Sequence, residues 1–347
     1  MHNDFGEFIK EILKYKTISI IGMEKNTGKT TTLNFIINVV KDRKLALTSV
    51  GRDGEEEDIV TFTHKPRIYV QEGTLVATAK NVLLKSDAGF EILEVLNIGT
   101  PMGDIVIAKS ITAGFVEIAG PATKNQIKEV IYRLKFYGAD FILVDGALSR
   151  KSFAAPTITE AAVMCTGAAF SEKVKLLCEE TLNFMSFLRL PKASEEVSKL
   201  YEKVMEHSRL AFIYENCIKK SKVETAISSY EEVISNYSKE LNYVFIKGIL
   251  TDNFILKLLA SNFVFKKVIF VVEDGTKIFV KKSTYDRFIL KGGSIKAAQS
   301  INVVGISVNP WSPSGYVLNY EEIYNMFKSK IDVPIFNVRE YEVDVIE

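Results

Sequence analysis

Residues 22–31 combine glycines, a lysine and threonines at a spacing that is typical of a phosphate-binding loop. They follow the β-branched apolar run 18–21 and precede an apolar-periodic segment that begins at Leu33. A strand, a loop and a helix in this order present backbone N–H groups and the positive helix end to a phosphate chain. Lys29 is expected to reach the β- and γ-phosphates, and the Thr30 hydroxyl to bind Mg²⁺. The residues predicted to hold the nucleotide are Asn26, Thr27, Gly28, Lys29, Thr30 and Thr31.

The spacing of the two glycines departs from the usual pattern. Gly22 and Gly28 are separated by five residues where four are usual, and Met23 stands in the position of the first glycine. The loop is therefore either one residue longer or begins with a non-glycine. A strand-to-helix turn that binds no ligand is the alternative interpretation, although the surrounding strand and helix favour the motif.

Three acidic residues come at or near the ends of predicted strands, where ligands gather in a doubly wound sheet. Asp145 follows the apolar run 141–144, which is the position of an acid that supports Mg²⁺; capping a turn is its alternative role. Asp53 follows the second strand and is predicted to bind Mg²⁺ or to orient the attacking water. Glu117 lies in a strand pattern, facing either solvent or the metal. The predicted metal ligands are Thr30, Asp53, Glu117 and Asp145.

The predicted catalytic residues are Lys29, Asp53 and Lys25. Lys25 is included because it lies inside the loop, where a cation can stabilise the charge on the transferring phosphoryl group. A loop later in the chain is predicted to contact the base of the nucleotide. No Asn-Lys-x-Asp segment of a guanine-specific GTPase occurs in the chain. Asn309, at the end of a late strand, is predicted to contact adenine, and Trp311 either stacks on the base or anchors a Pro-rich turn. The sequence therefore favours ATP.

Composition narrows the functional class. The 347 residues carry a formal net charge of +1, which gives no electrostatic case for a nucleic-acid or membrane partner. No apolar run approaches the ~18 residues of a membrane span, and the first residues show no secretory signal pattern. Three cysteines and three histidines are scattered along the chain, so a disulfide framework or a zinc site is not predicted. We expect a cytoplasmic protein.

The order of predicted elements indicates an α/β fold with a doubly wound, mostly parallel sheet, because strands alternate with helices. Short β-type runs separated by turns predict a β-hairpin-rich insert at about 66–120. Residues 1–185 are predicted to form the core that contains this insert. Residues 186–347 are predicted to be an extended C-terminal α/β region, either a second domain or part of the same sheet. Within it, 192–240 shows helical periodicity.

With Lys29, Asp53, Glu117 and Asp145 in this order, the chain resembles the branch of phosphate-loop proteins that includes dethiobiotin synthetase, MobB-type proteins and MinD-like ATPases. The resemblance covers about 16–170 and 301–338 and implies an Mg·ATP site. Three phrases also resemble the ATP-binding-type subunit of a lysine 5,6-aminomutase reactivase, which implies a B12-dependent aminomutase or a second reactivase subunit as partner. No B12-binding Asp-x-His-x-x-Gly pattern occurs, so cobalamin would belong to the partner. The phrases are 22–31, 48–55 and 144–147.

Three hypotheses follow from these residues. The first is an ATPase that remodels or reactivates a protein partner, with loops 51–58 and 146–156 as nucleotide-dependent switches. The insert and the 192–240 segment are then the candidate partner surfaces. The second is a dethiobiotin-synthetase-like enzyme that uses ATP on a small carboxylate metabolite bordered by 123–125. The third is a nucleotide-binding regulatory module with negligible turnover. A homodimer is an assembly that the sequence leaves open.

Overall fold

The structure, a computed structural model, describes residues 4–51, 67–146, 158–227 and 229–341. Within these ranges the chain forms ten α-helices, and none has the length and apolar character that a membrane crossing requires. The helices are α1 Asp4–Ile12, α2 Lys29–Val39, α3 Lys80–Leu83, α4 Lys124–Phe136, α5 Val174–Leu188, α6 Glu195–Met205, α7 Tyr230–Ser235, α8 Asp252–Leu259, α9 Lys282–Leu290 and α10 Tyr320–Lys328.

Strands alternate with these helices along most of the chain. The strands are β1 Thr17–Gly22, β2 Leu45–Val50, β3 Ile68–Val70, β4 Leu75–Ala79, β5 Phe90–Thr100, β6 Gly103–Ser110, β7 Gly114–Val116, β8 Phe141–Gly146, β9 Ala161–Gly167, β10 Leu210–Tyr214, β11 Ile218–Lys220, β12 Leu241–Ile246, β13 Leu250–Thr251, β14 Ile269–Val272, β15 Ile278–Phe279, β16 Ser294–Ala297, β17 Val303–Asn309 and β18 Ile335–Asn337. Short 3₁₀ turns cover Phe265–Lys267, Gly275–Lys277 and Val338–Tyr341.

The chain divides into two compact units. Unit 1 comprises Met1–Leu182 and Asn302–Glu347, and unit 2 comprises Asn183–Ile301. The predicted C-terminal region 186–347 is thus shared between the units. Its last part, from residue 302 onward, supplies β17 and β18 to the sheet of unit 1, and the rest builds a sheet of its own.

Unit 1 is built on a nine-stranded sheet in the order β18-β17-β9-β1-β8-β2-β4-β6-β5. The first seven strands in this order are parallel, from β18 to β4. The α/β class and the mostly parallel sheet predicted from the sequence are therefore confirmed. Because neighbouring strands are parallel, the carboxyl ends of β1, β8, β2, β9 and β17 meet at one edge of the sheet.

The segment predicted as a hairpin-rich insert extends this sheet in the antiparallel sense. β6 pairs antiparallel with both β4 and β5, and β3 pairs antiparallel with β7 in a separate ribbon. β5 is the edge strand, and its side chains Ile92 and Val95 are exposed to solvent. Exposed apolar side chains on an edge strand are a feature of surfaces that receive another chain.

Two apolar layers enclose the sheet of unit 1 because successive residues of each buried strand point to opposite faces. On β8, Phe141 and Leu143 join the layer that contains α1 and α2, whereas Ile142 and Val144 join the layer that contains α4. Aromatic rings pack against each other in the first layer, where the centroids of Phe8 and Phe336 lie 4.3 Å apart. The phosphate-loop candidate thus begins on a strand that is covered on both faces.

Unit 2 has a five-stranded sheet in the order β11-β10-β12-β14-β16. β12, β14 and β16 are parallel, and β10 is antiparallel to β12 and β11. The segment 192–240, whose sequence shows helical periodicity, contains α6 and α7 but also β10 and β11. The alternating burial of charged and apolar residues in α6 dominates the periodicity, while β10 is only five residues long.

Candidate functional site

The loop at 22–30 leaves β1 at a glycine that contacts the predicted phosphate-binding lysine. A Cβ atom on Gly22 would lie 2.7 Å from Thr27 Oγ1 and 2.9 Å from Lys29 Cδ. The aliphatic stem of Lys29 therefore packs on the bare Cα of Gly22. Gly22, and not Met23, is the residue on which the lysine stem packs. The loop therefore begins at Gly22 and is one residue longer than the usual pattern.

The backbone of this loop turns twice through the left-handed region. Asn26 has φ 61° and Gly28 has φ 87°, and Asn26 is the one non-glycine residue with positive φ in the part of the chain that the structure describes. Asparagine tolerates this conformation better than other side chains, which accounts for its presence there. The turns bring the chain to the N-terminus of α2, which has no side-chain cap. Its first N–H groups therefore face the loop.

Lys29 is folded back onto the loop. Its Nζ donates a hydrogen bond to the carbonyl oxygen of Glu24 at 2.8 Å, and the buried Thr27 hydroxyl donates to the same oxygen at 2.9 Å. Thr30 and Thr31 follow in the first turn of α2 and are partly exposed. The ammonium group thus lies over the loop. There it can give up its hydrogen bond to the carbonyl oxygen and donate to an anionic oxygen of a ligand instead.

Asp145 lies at the end of β8, beside this loop. β8 pairs with β1 on one side and with β2 on the other, with Asp145 in register with Ile20 and Ser49. The carboxylate is half-buried. The pKa of the adjacent Cys165 thiol is raised to about 11, mainly by burial; the positive charge of Lys29 opposes this rise and the negative charge of Asp145 adds to it. Lys29 and Asp145 thus both influence the pKa of this buried thiol, in opposite directions.

Glu117 is placed at the same edge by a chain crossing. After β7, residues 117–121 run across the ends of β2 and β4, with Gly120 N donating to Ser49 Oγ at 2.9 Å. Ala79 N donates to Ala119 O at 2.8 Å, and Gly51 N donates to Pro121 O at 3.0 Å. The half-buried Glu117 begins this crossing, so the structure brings it to the edge that carries Asp145.

Asp53, predicted as both catalytic residue and metal ligand, lies outside the described residues, as do most positions of loops 51–58 and 146–156. Among the residues that are described, no group of three histidine, cysteine, aspartate or glutamate side chains is arranged to hold a metal ion. The oxygen donors that remain at the sheet edge are Thr30, Glu117 and Asp145. Lys25, the further catalytic candidate, is exposed on the loop.

Asn309 closes the other side of the loop. It ends β17, its side chain is only 4% exposed, and a Cβ atom on Gly28 would lie 3.0 Å from Asn309 Cβ. Its backbone oxygen accepts a hydrogen bond from Ala168 N at 2.9 Å. The structure thus brings Asn309 next to Gly28.

Arg339 is a site residue that the sequence analysis missed. It follows β18, and its Nε donates to Asn309 Oδ1 at 3.4 Å. The preceding Val338 has its Cγ1 atom 3.5 Å from the position of a Gly28 Cβ. The rule that directed attention to residues after strand ends applies equally to β18, which pairs with β17. The sequence analysis did not extend that rule to this last strand.

Trp311 is not the anchor of the loop that follows β17. Its side chain is 55% exposed, and its backbone N donates to Asn309 Oδ1 at 3.2 Å. The anchor is Tyr316, whose hydroxyl donates to the carbonyl oxygen of Ala168. A large exposed ring close to Asn309 is therefore available to a ligand.

A buried polar chain ties the first helix of the site to β17. The hydroxyl groups of Thr32 and Ser307 lie 2.6 Å apart, and the Cys165 thiol donates to Thr32 Oγ1 at 3.5 Å. Thr32 in turn donates to Gly28 O at 2.8 Å. Because satisfied buried hydrogen bonds resist displacement, this chain fixes the start of α2 relative to the strand that carries Asn309.

Unit 2 carries two adjoining cavities of about 310 and 240 Å³. The cations Arg209, Lys222 and Lys247 line the larger one, and Glu202, Glu206 and Glu273 line the smaller one. Neither cavity is lined by a residue that the sequence predicts to be catalytic or to bind the nucleotide or the metal. Both are lined partly by the 192–240 segment, which the sequence analysis considered as a partner surface, and partly by later residues such as Lys247.

The geometry of the 22–30 loop is the main guide to function. A scan against protein-family models finds no family that matches the chain, and a search of curated proteins finds no similar one. The features of the chain that bear on function are therefore the loop itself, the acids Asp145 and Glu117 near the ends of β8 and β7, and the residues Asn309, at the end of β17, and Arg339, after β18.

Proposed function

We propose that this chain is an Mg-dependent ATP-binding protein and ATPase, with the triphosphate held by the 22–30 loop. The observation that carries the proposal is the packing of the Lys29 stem on the bare Cα of Gly22, before a helix N-terminus without a side-chain cap. This arrangement aims one ammonium group and several backbone N–H donors at a single space. Such a donor set suits a polyphosphate.

Each loop residue has a defined task in this proposal. Lys29 Nζ leaves the carbonyl oxygen of Glu24 and donates to β- and γ-phosphate oxygens. The loop N–H groups from Asn26 to Thr31 donate to the phosphates, and Lys25 stabilises charge that develops during transfer. Asn309 contacts the base. The exchange costs little because a phosphate oxygen is a stronger acceptor than the carbonyl it replaces.

The oxygen donors at the sheet edge fit Mg²⁺, since this hard cation prefers carboxylate, hydroxyl, phosphate and water oxygens. Thr30 would bind it directly, and Asp145 and Glu117 would hold it directly or through water. Asp53 is proposed to join them and to orient the attacking water. When bound, the ion neutralises phosphate charge; the protein residues keep its ligands in place.

The partner of the ATPase is proposed to be another protein. The resemblance to a reactivase subunit points to a B12-dependent aminomutase or a second reactivase subunit. On this chain, the exposed apolar side chains of Ile92 and Val95 on edge strand β5 support a protein-binding surface in the 66–120 segment. The charged helices of 192–240 are a second proposed surface. Water attack on the γ-phosphate would then change the loops that contact the partner.

One experiment separates this function from its rivals. ATP hydrolysis is measured for the protein alone, with a panel of small carboxylate metabolites, and with a purified B12-dependent aminomutase. Stimulation by the aminomutase, together with recovery of its activity, is the expected result. A phosphorylated metabolite would instead indicate a dethiobiotin-synthetase-like enzyme, and ATP binding without turnover in every mixture would indicate a regulatory module.

The role of Asp145 is tested by replacing it with asparagine. The change keeps the shape of the side chain and removes the charge, so we expect Mg-dependent hydrolysis to fall at least about tenfold. Binding of ATP without magnesium should stay close to that of the wild type, because Lys29 and the loop are intact. Calorimetric titrations with Mg²⁺ and with EDTA measure the difference. Equal loss in both titrations would contradict a metal-supporting role.

Trp311 offers a direct optical test of base binding because it is the only tryptophan in the chain. Stacking of a base on its exposed ring is expected to quench its fluorescence as ATP is added. Aromatic stacking on a base stabilises binding by about 1–3 kcal/mol, so Trp311→Phe should lose the signal but keep most of the affinity measured by calorimetry. An unchanged emission spectrum at saturating ATP would place the base away from this ring.

A further inference from the structure

The side-chain amide of Asn309 is held in one orientation by two donors. Its Oδ1 accepts the backbone N–H of Trp311 at 3.2 Å and the Nε–H of Arg339 at 3.4 Å. An amide oxygen has two lone pairs, and both are directed to protein donors here. The opposite assignment of the amide would set its NH₂ group against two donors and is therefore disfavoured. The Nδ2 group makes no hydrogen bond with any residue that the structure describes.

This amide borders the proposed nucleotide site. Asn309 lies against Gly28, and Val338, the neighbour of Arg339, lies against the same glycine. The side chain of Asn309 is 4% exposed, and its backbone is fixed by Ala168. A base that contacts Asn309 therefore meets a rigid amide that offers N–H donors and no acceptor.

The lack of an acceptor has a consequence for base selection. An asparagine identifies adenine by two contacts, accepting from the exocyclic amino group and donating to a ring nitrogen. With Oδ1 occupied, only the donor contact is left. The ring nitrogen N7 is an acceptor in both adenine and guanine, so that contact alone does not separate them.

We infer that Arg339 makes the site accept both purines, because it holds Asn309 as a donor only. Arg339 is thus a positioning residue that sets specificity through Asn309. This inference depends on the proposed nucleotide-binding function and refines it: the ligand class is a purine nucleoside triphosphate, and ATP is one member. Removal of the guanidinium frees one lone pair of Oδ1 for the amino group of adenine, while the Trp311 N–H keeps the amide oriented.

Calorimetry with the magnesium complexes of AMP-PNP and GMP-PNP tests this inference on the full chain. The wild type is expected to bind the two analogues within about threefold, and Arg339→Met to favour the adenine analogue by about tenfold, the usual value of a second base contact. Methionine keeps the apolar stem of the arginine and has no donor. Arg339→Lys restores a donor and should return the ratio toward that of the wild type.

Two further variants control the measurement. Arg43→Met removes an arginine whose Nε donates to Asp140 Oδ1 at 3.0 Å, before the start of β8, and should leave the ratio unchanged. Asn309→Ala should lower the affinity for both analogues by the same factor, because the contact it removes is common to both. This variant keeps the inference testable if Arg339→Met does not fold.

The results that overturn the inference are distinct from those that overturn the proposed function. A wild-type preference for AMP-PNP above about tenfold, or a selective loss of AMP-PNP binding in Asn309→Ala, would show the full adenine contact and refute the role of Arg339. An unchanged ratio in a folded Arg339→Met variant would do the same. Failure of the wild type to bind either analogue would instead refute the nucleotide site itself.

Discussion

Replacing Lys29 with alanine is expected to reduce ATP hydrolysis at least about 100-fold, since a positioned donor to developing charge typically contributes that much. The stem of the lysine packs directly on Gly22, at the start of the loop. Its removal leaves the backbone N–H donors in place. We therefore expect weakened ATP binding together with loss of turnover, measured by calorimetry and by phosphate release.

The matched control for this variant is Lys41→Ala. Lys41 is exposed just beyond the C-terminal end of α2, whereas Lys29 begins this helix. At about 1.5 Å per residue, α2 places its two ends roughly 15 Å apart. Lys41→Ala should hydrolyse ATP as the wild type does. Normal turnover in Lys29→Ala would remove the basis of the proposed function.

Stability should change little in Lys29→Ala, and this distinguishes a functional effect from unfolding. Its ammonium group donates to the carbonyl oxygen of Glu24 at 2.8 Å in an exposed position. A hydrogen bond of this kind contributes about 1 kcal/mol. Urea unfolding curves of the variant and the wild type should therefore nearly coincide, while their activities differ.

Much of unit 1 is predictable from sequence because parallel strands that are buried on both faces appear as continuous apolar runs. β1, β8, β9 and β17 are such runs, and the apolar stretches 18–21 and 141–144 in the sequence locate the first two within two residues. The strands of unit 2 were less evident. β10 is a short apolar run, Leu210–Tyr214, inside a segment with helical periodicity, and β11 is fully exposed, so it gives no apolar contrast by which a strand is recognised.

The residues of the candidate site likewise include some that the local sequence predicts and others that it does not. Residues that act through a local pattern, such as Gly28, Lys29 and Thr30, stand out because strand, loop and helix are contiguous. Arg339 and Asn309 are 30 positions apart and meet only because β18 pairs with β17. The crossing at Gly120 meets Ser49 across 71 positions. Contacts of this range depend on the strand order, which no local pattern contains.

Gly120 marks the place where this long-range packing is tightest. A Cβ atom there would lie 1.7 Å from the carbonyl oxygen of Ser49 and 2.5 Å from its carbonyl carbon. Both are backbone atoms of β2, a strand whose six residues are all buried. Relief of the clash would require the 117–121 crossing to lift away from the sheet, breaking the bond from Gly120 N to Ser49 Oγ.

Gly120→Ala is therefore expected to destabilise unit 1 by about 3 kcal/mol, at the upper end of the usual range for overpacking. Urea unfolding followed by the fluorescence of Trp311, which belongs to unit 1, measures this loss. Gly6→Ala is the control, because a Cβ on Gly6 meets no atom within 4 Å and alanine favours the helix that contains it.

Since the crossing also carries Glu117, the folded fraction of Gly120→Ala should need more Mg²⁺ for ATP hydrolysis. Wild-type stability of Gly120→Ala would mean that β2 and the crossing are not in contact, and Glu117 would then lose its place beside Asp145.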